Sequence, residues 1–446
     1  MKLTKSRTAW SLLSVAIILV ACMQPSQPKS AATDIPPLHI RKDTSNSMEW
    51  IATKQYYATY SNAIKKDSLD HMSRLKLVEV YINEARITGD QTYYNNAAMK
   101  MLDYIIQKNP ANKDYTYLAL NYKSTVLLSM HQFEEAKKAA VQTVNLNPYG
   151  AGIYGALVDA DVELGKYDTA VMMADKMMSI RPDIRSYSRV SYLRQIYGDN
   201  DGAIAAMRLA IEAGIPGAEN TEWARVNCGD LYLNTGHPDT ASMLYQIALE
   251  YRPNYAFAEI GLAKSLRAEK KYDEAIVHCK NAIRLLSESS FVSLLADLYE
   301  LKGDTTKAKE VRNDVLNLLL EGEKNQPADA SIKHNANREL SMAYLNNHDL
   351  DKALEFAKND LAMRPENIDA NELVAWIYYL KGDFANAKMH AEKTFKTNTR
   401  SASLLYKAGL IFIASGDAAK GNELKTKALA INKNIDPLIL KYEKGI

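Results

Sequence analysis

Cysteine is scarce in this chain of 446 residues, which contains only Cys22, Cys228 and Cys279. Three thiols are too few to hold together a disulfide-rich scaffold of this length. No Cys-x-x-Cys or His-Glu-x-x-His motif occurs, so the sequence indicates no zinc site. We expect Cys228 and Cys279 to be buried free thiols, although an oxidising compartment would leave a bridge between them open.

An excess of charge of one sign is also lacking, because 55 basic residues face 53 acidic ones. This balance predicts no strong electrostatic attraction to nucleic acid or to anionic lipid. Residues 1–21 contain three basic side chains and no acidic one, so their removal would change the net charge from +2 to −1 (2 − 3 = −1). We therefore expect no nucleic-acid partner.

Long apolar runs are absent except near the start of the chain. Residues 9–21 are apolar or small and uncharged, and they follow the three basic residues, an order typical of a secretory signal peptide. The run is too short to span a bilayer comfortably. No second apolar run of that kind follows it, so we expect no transmembrane helix in the rest of the chain.

The segment Leu19-Val20-Ala21-Cys22 resembles the lipobox of bacterial lipoproteins. The resemblance implies that residues 1–21 are a signal peptide and that Cys22 becomes the lipidated N-terminus. It also implies a membrane-anchored lipoprotein of the bacterial cell envelope, on the periplasmic or the cell-surface side. An ordinary secretory signal with an incidental cysteine is the alternative. Residues 22–47 hold four of the 13 prolines, which predicts a semi-extended tether.

Glycine is sparse but regularly spaced through the remaining chain. Gly165, Gly198 and Gly236 are 33 and 38 apart in the numbering, and Gly382 and Gly416 are 34 apart. Glycine suits the tight turn between two helices, and this regular spacing resembles the period of the tetratricopeptide repeat family, roughly 34 residues. The second unit departs from the pattern, with His131-Gln132 in place of the turn glycine.

The resemblance implies an all-α fold, a right-handed α-solenoid of about ten helix–turn–helix repeats over residues 67–434. Residues 48–66 would form an N-terminal capping helix and residues 435–446 a C-terminal capping segment. Small residues such as Ala241 and Ala275 fall where two helices of a unit would approach closely.

The segment Gly150-Ala-Gly-Ile-Tyr-Gly155 matches Gly-x-Gly-x-x-Gly, but its context does not fit a dinucleotide site. No strand precedes it, and no βαβ unit surrounds it. We interpret it as the start of a repeat helix that leaves a small hollow on the groove wall. The eight histidines are scattered and form no recognisable ligand set, so no cofactor is expected.

In the tetratricopeptide family the first helices of successive units line a concave groove. Carrying those positions over gives a mixture of aromatic and charged side chains, which suits a peptide-binding surface. The predicted groove residues are Arg185, Tyr192, Gln195, Trp223, Asp230, Asn234, Phe257, Lys264, Arg267, Asp297, Glu300, Arg338, Trp376 and Tyr379. The early units offer Asn121 and Thr125 without basic partners, so the carboxylate clamp of chaperone-binding members is not expected.

No catalytic constellation is visible in the sequence, so the chain is not expected to be an enzyme. The repeats imply a non-enzymatic scaffold that binds a peptide or protein partner of the cell envelope in its concave groove. The alternative is a glycan-capture lipoprotein of an outer-membrane nutrient uptake system. The absence of a long inserted domain argues against that alternative.

Overall fold

The computed structural model describes residues 34–41, 47–326, 330 and 332–443. The expected signal peptide and Cys22 lie outside these residues, as do residues 23–33 and 42–46 of the expected tether. The chain divides into Met1–Asp34, of which only Asp34 is described, and Ile35–Ile446, which contains all the helices given below.

The described residues form 22 α-helices and no strand. The helices are α1 Ser47–Lys66, α2 His71–Thr88, α3 Gln91–Lys108, α4 Lys113–Ser129, α5 Phe133–Leu146, α6 Ala151–Glu163, α7 Tyr167–Ile180, α8 Ile184–Ile196, α9 Asn200–Glu212, α10 Glu219–Asn234, α11 Pro238–Tyr251, α12 Ala256–Ala268, α13 Tyr272–Leu285, α14 Ser289–Leu301, α15 Thr305–Lys324, α16 Asn337–Asn346, α17 Leu350–Met363, α18 Ile368–Leu380, α19 Phe384–Lys393, α20 Ala402–Ala414, α21 Ala418–Ile431 and α22 Pro437–Leu440.

The helices from α2 to α21 pack as ten consecutive pairs. The first helix of a pair contacts its partner and, in most pairs, also the first helix of the neighbouring pair, as α4 contacts α6 and α6 contacts α8. Second helices of neighbouring pairs share no comparable contact among the described residues. The first helices therefore form the inner layer of a curved array, and the predicted α-solenoid of about ten repeats is confirmed.

Every turn within a pair contains one residue in the left-handed backbone region. Seven of these residues are glycines with φ between 72° and 89°: Gly89, Gly165, Gly198, Gly236, Gly303, Gly382 and Gly416. The other three are His131, Lys270 and His348, with φ of 56°, 62° and 62°. Glycine takes this conformation at no steric cost, which explains why it marks the period. At His131 the residue type gives no sign of this left-handed conformation, which only the backbone angles of the structure show.

Small residues allow the close approach of helices within and between pairs. Ala241 and Ala275 are completely buried, as expected from the repeat pattern. The ring of Tyr245 lies between Gly229 and Gly261, and a Cβ added at either glycine would come within 2.5 Å of it. This large ring fills the space that the two glycines leave, which is how the pairs reach interior packing density.

Successive turns of the solenoid contact each other. The last carbonyls of a helix have no intrahelical donor, and here donors from a later part of the chain reach several of them. These hydrogen bonds run from Asn335 N to Met130 O, from Asn367 Nδ2 to Glu163 O, from Thr397 Oγ1 to Ile196 O and from Asn432 Nδ2 to Leu233 O. The acceptors lie at the C-terminal ends of α4, α6, α8 and α10. Partners in the side-chain bonds are 199 to 204 residues apart, so about six repeats of roughly 34 residues complete one superhelical turn.

An extended segment, residues 35–41, packs against the first helices. Tyr57 and Tyr81 donate hydrogen bonds to the carbonyl of Pro36, at 3.1 and 2.6 Å. The buried guanidinium of Arg41 pairs with the carboxylate of Glu84 at 2.5 Å. This part of the expected tether is therefore ordered on α1–α3 rather than extended into solvent.

Both cysteines of the helical array are free and buried, as expected. Desolvation raises the pKa of Cys228 to about 11 and that of Cys279 to about 12, which makes both thiols poor nucleophiles. Within the described ranges, no helix combines the length and the apolar character that a membrane crossing requires.

Candidate functional site

The predicted groove residues all lie on first helices, which form the inner layer, although not all of their side chains reach the inner surface. By helix they are Arg185, Tyr192 and Gln195 on α8; Trp223, Asp230 and Asn234 on α10; Phe257, Lys264 and Arg267 on α12; Asp297 and Glu300 on α14; Arg338 on α16; and Trp376 and Tyr379 on α18. The superhelix folds this layer inward, so that residues far apart in sequence share one interior surface.

Ion pairs connect neighbouring first helices across the inner layer. Lys264 on α12 reaches Asp230 on α10 at 3.3 Å, and Asp230 also accepts a hydrogen bond from the hydroxyl of Tyr245 at 2.8 Å. Lys407 on α20 pairs with Glu372 on α18 at 3.0 Å. The inner surface thus presents fixed charges of both signs, which matches the mixture expected from the sequence.

The hollow expected at Gly150–Gly155 is filled by a side chain. Arg189 on α8 donates from Nε to the carbonyl of Gly155 at 3.1 Å and to Asp159 at 2.9 Å. A Cβ on Gly155 would lie 3.0 Å from the guanidinium carbon. Gly155 therefore makes room for an arginine of the next repeat, and the glycine-rich motif opens helix α6 as interpreted from the sequence.

Two acidic residues of the inner layer, Glu163 and Asp369, come from different superhelical turns. Desolvation raises the pKa of both carboxyl groups, while the guanidinium groups of Arg364 and Arg338 favour the ionised forms. Tyr192 lies in the same region, where desolvation and the two carboxylates raise the pKa of its phenol although 42% of the residue remains exposed. The Tyr192 side chain thus reaches solvent while many protein atoms surround its hydroxyl group.

The chain's own C-terminal segment, residues 435–443, occupies another part of the inner layer. Arg267 Nη2 contacts Asp436 Oδ1 at 2.7 Å, and Lys441 Nζ contacts Glu300 Oε1 at 2.7 Å. Helix α22, which forms part of this segment, packs against α14. The segment begins beyond α21 and reaches across to helices of the preceding turn.

Aromatic contacts hold the far end of the same segment. The ring of Tyr442 meets the edge of Trp376 at 5.6 Å, and Trp376 stacks on Tyr379 at 5.0 Å. Tyr406 donates its hydroxyl to Glu443 at 2.9 Å. Trp376 and Tyr379 retain only 7% and 5% of their exposure, so these two predicted groove residues are covered in this structure.

The carboxyl group of Asp297 lies beneath the segment in a network of charges. Burial, with a smaller effect from the nearby carboxylate of Asp436, raises its pKa to about 6 against the opposing effect of Arg267. Arg312 also favours the ionised form and pairs with Glu300. Asp297 therefore changes charge close to neutral pH, at a point where the C-terminal segment contacts the inner layer.

In the part of the chain that the structure describes, the other predicted groove residues do not contact the C-terminal segment and do not form one continuous surface. Phe257 packs between Tyr255 and Phe291, with ring centroids 5.5 and 5.7 Å away, so it belongs to the packing between pairs. Trp223 packs against a buried cluster that α9 and α10 share. Arg185 and Gln195 lie in the first and last turns of α8, and Asn234 ends α10 beside Asn432.

A second polar site, which the sequence did not indicate, lies between two superhelical turns. His131 in the turn after α4 meets His334 from the segment that leads into α16 and Glu339 from the first turn of α16, and one ligand atom from each lies within 4.8 Å of the others. His131 and Glu339 line a cavity of about 210 Å³, which is also lined by Asp159 and Glu163. Desolvation and the neighbouring His131 lower the pKa of His334 to about 4. Residues so far apart in the chain give no motif, so spacing could not reveal this cluster.

Comparison with known proteins supports no closer assignment. No protein-family model matches the sequence, and no curated protein matches it either. Among solved structures, the chain is similar to a thermophilic tetratricopeptide repeat protein of Thermus thermophilus, with 20% identity, 44% of this chain and 99% of that chain covered, and a TM-score of 0.38.

Two further solved structures show similarity of the same order. The hetero-tetramer Cut9–Hcn1 of the APC/C matches with 13% identity over 88% of this chain and 75% of that chain, at a TM-score of 0.45. A tetratricopeptide repeat protein from Parabacteroides merdae ATCC 43184 matches with 17% identity over 58% and 98%, at a TM-score of 0.34. The fold assignment depends on the helix pairs described above and not on these scores.

Proposed function

We propose that this chain is a non-enzymatic scaffold that binds a short segment of a partner protein on its inner layer. The observation that supports the proposal is the position of its own C-terminal segment. Residues 435–443 lie against four first helices, α12, α14, α18 and α20, through ion pairs at Arg267 and Glu300 and aromatic contacts at Trp376. The inner layer thus holds a short segment of the chain itself, and this contact supports the proposal that it can hold a similar segment of a partner.

The C-terminal segment also indicates the chemistry of the partner. Its apolar side chains Ile435, Ile439 and Leu440 pack on a cluster that includes Trp376, while Asp436 and Lys441 meet charges of opposite sign. A matching partner segment would carry an acidic residue, an apolar stretch and then a basic residue followed by an aromatic one. Such a segment would compete with the chain's own C-terminus.

We further propose that the scaffold is a lipoprotein anchored at Cys22 in the membrane of a bacterial cell envelope. The support is the order of basic residues, apolar run and Leu19-Val20-Ala21-Cys22 in the sequence. Cys22→Ala should prevent lipid attachment, so the variant should move from the membrane fraction to the soluble fraction. Retention of the variant in membranes, with metabolic fatty-acid label still incorporated, would exclude Cys22 as the anchor.

The glycan-capture alternative gains no support from the described residues. The longest break between α2 and α21 is residues 325–336, too short for an inserted domain. The stacked pair Trp376–Tyr379, which could serve as a platform for a sugar ring, is covered by Tyr442.

Partner capture from solubilised envelope membranes tests the scaffold proposal. Tyr442→Ala should loosen the C-terminal segment and increase the amount of specific partner retained, whereas Trp376→Ala should reduce it. Trp223→Ala is a control, because Trp223 lies away from the segment. Circular dichroism must show that all three variants keep the helical content of the wild type. Equal capture by all the folded variants would contradict binding at this surface.

A further inference from the structure

The cluster of His131, His334 and Glu339 has the composition of a metal site. The ring centroids of the two histidines are 4.8 Å apart, and His131 Nδ1 lies 3.8 Å from Glu339 Oε2. All three side chains are half-buried. Two imidazoles and a carboxylate form a ligand set that is well suited to first-row transition metals, zinc above all.

The hydrogen bonds around the cluster leave one possible metal-binding oxygen without a partner. Glu339 Oε2 is buried, and no hydrogen-bond partner for it is found among the described residues. A buried carboxylate oxygen without a partner is costly, and a bound cation would remove that cost. His131 Nδ1 also lies 3.1 Å from the carbonyl of Asn335, a contact that would hold the ring in place beside Glu339.

The surrounding charges do not prevent a cation from binding. Arg364, which lines the adjoining cavity, pairs with Asp360 at 2.7 Å and also contacts Glu163. Arg338, on the same cavity wall, lies close enough to Glu163 to favour its ionised form. The two guanidinium groups on the cavity wall are therefore balanced by carboxylates other than Glu339.

We propose that His131, His334 and Glu339 together bind a divalent transition-metal ion, with zinc as the preferred ion. Zinc bonds of about 2.0–2.2 Å in a tetrahedral site require ligand atoms roughly 3.4 Å apart, so the present separations of up to 4.8 Å must shorten by as much as about 1.4 Å. Residues 333–336 lie outside any helix, which allows His334 to make that adjustment. The fourth position would face the 210 Å³ cavity and would hold water or a carboxylate of a bound partner.

The ion would connect two superhelical turns. His131 belongs to the second helix pair, whereas His334 precedes the eighth pair and Glu339 lies in it, and Asn335 N already bonds to Met130 O. Metal bound to residues that only folding brings together stabilises the folded state, because the unfolded chain offers no such site. Binding should therefore raise the temperature at which the solenoid unfolds.

Calorimetric titration of the purified full-length protein with zinc chloride, after treatment with EDTA, tests the proposal. We expect one equivalent to bind, the melting midpoint to rise, and cobalt in place of zinc to give the visible absorption of a tetrahedral site. His334→Gln and Glu339→Gln should each weaken the binding of zinc by at least about 100-fold, since each removes a ligand. Circular dichroism checks that both variants fold.

A matched control is available on another helix pair. His278 contacts Glu259 at 2.7 Å but belongs to no group of three possible ligands among the described residues. His278→Gln should therefore leave the stoichiometry and the affinity for zinc unchanged. The proposal is overturned if the wild-type protein shows no saturable equivalent, if folded Glu339→Gln binds zinc as tightly as the wild type, or if His278→Gln abolishes binding.

Discussion

The glycines in the turns serve two separate purposes that their sequence spacing does not distinguish. At Gly382 and Gly303 an added Cβ would meet open space, so only the left-handed backbone requires glycine. At Gly165 an added Cβ would lie 2.3 Å from the backbone of Glu366 in the next superhelical turn. The same residue type therefore marks a local turn in one repeat and a contact between turns in another.

This difference predicts unequal effects for one substitution at two turns. Gly382→Ala should destabilise the protein by about 1–2 kcal/mol, the cost of a left-handed conformation for alanine. Gly165→Ala carries the same cost and must also displace the backbone of the next turn, so its effect should be clearly larger. Thermal unfolding followed by circular dichroism compares the two variants. Equal melting midpoints would show that the turns do not touch at Gly165.

The carboxyl group of Asp297 predicts a dependence of stability on pH. Its pKa of about 6 in the folded protein exceeds the ordinary value of 3.8, so the folded state binds the proton more tightly than the unfolded state does. The contribution of Asp297 to the free energy of unfolding should therefore be larger at pH 5 than at pH 7. It is lost as the pH rises through about 6, where the carboxyl group of the folded protein ionises.

Asp297→Asn isolates this contribution, because other titrating groups are common to both proteins. Urea unfolding at pH 7 and at pH 5 should show the wild type gaining stability relative to the variant at the lower pH. A difference between the two proteins that does not change with pH would mean that Asp297 keeps an ordinary pKa.

At the scale of the helix, the packing could be predicted from the sequence almost directly. Small residues at regular intervals marked the contacts, and Ala241 and Ala275 are completely buried where the pattern placed them. Tyr245 between Gly229 and Gly261 follows the same rule, with one large ring matched to two missing side chains. The left-handed backbone at His131, Lys270 and His348 could not be predicted, because it is not encoded in these residue types.

Ala241→Arg and Ala275→Arg test the register of the helix pairs. Each would force a long charged side chain into a contact with no free space, so each should lower the free energy of unfolding by at least about 1–3 kcal/mol. Melting midpoints measured by circular dichroism provide the check. A midpoint unchanged from that of the wild type in either variant would show that the assigned helix contacts are wrong.

At the scale of the whole array, the repeat period predicted the helix pairs but not the contacts between superhelical turns. Those contacts depend on a small rotation between neighbouring pairs that accumulates over about six repeats. Asn367 and Asn432 are ordinary polar residues in the sequence, and their role as donors to α6 and α10 appears only when the array coils. The histidine cluster and the position of the C-terminal segment on the inner layer could not be predicted either, because both depend on how the array coils.

The predicted groove residues lie on first helices, and whether they bind a partner stays a prediction. Arg267, Glu300 and Trp376 were chosen as positions that face a partner, and in the structure they hold the chain's own residues 435–443. The sequence suggested only a cap for this segment, since nothing in its composition shows how far it reaches across the inner layer. A surface that binds this segment provides the physical basis for the proposed scaffold.

The most direct test of that proposal separates the segment from the rest of the chain. A protein ending at residue 434, shown by circular dichroism to remain helical, would be titrated with a synthetic peptide of residues 435–446 by calorimetry. We expect the peptide to bind the truncated protein saturably at one site, and Tyr442→Ala in the peptide to weaken this binding. The full-length protein should bind little peptide, because its own C-terminal segment already occupies the site. No binding to the folded truncated protein, or equal binding to the full-length protein, would contradict the claim that the inner layer is a peptide-binding surface.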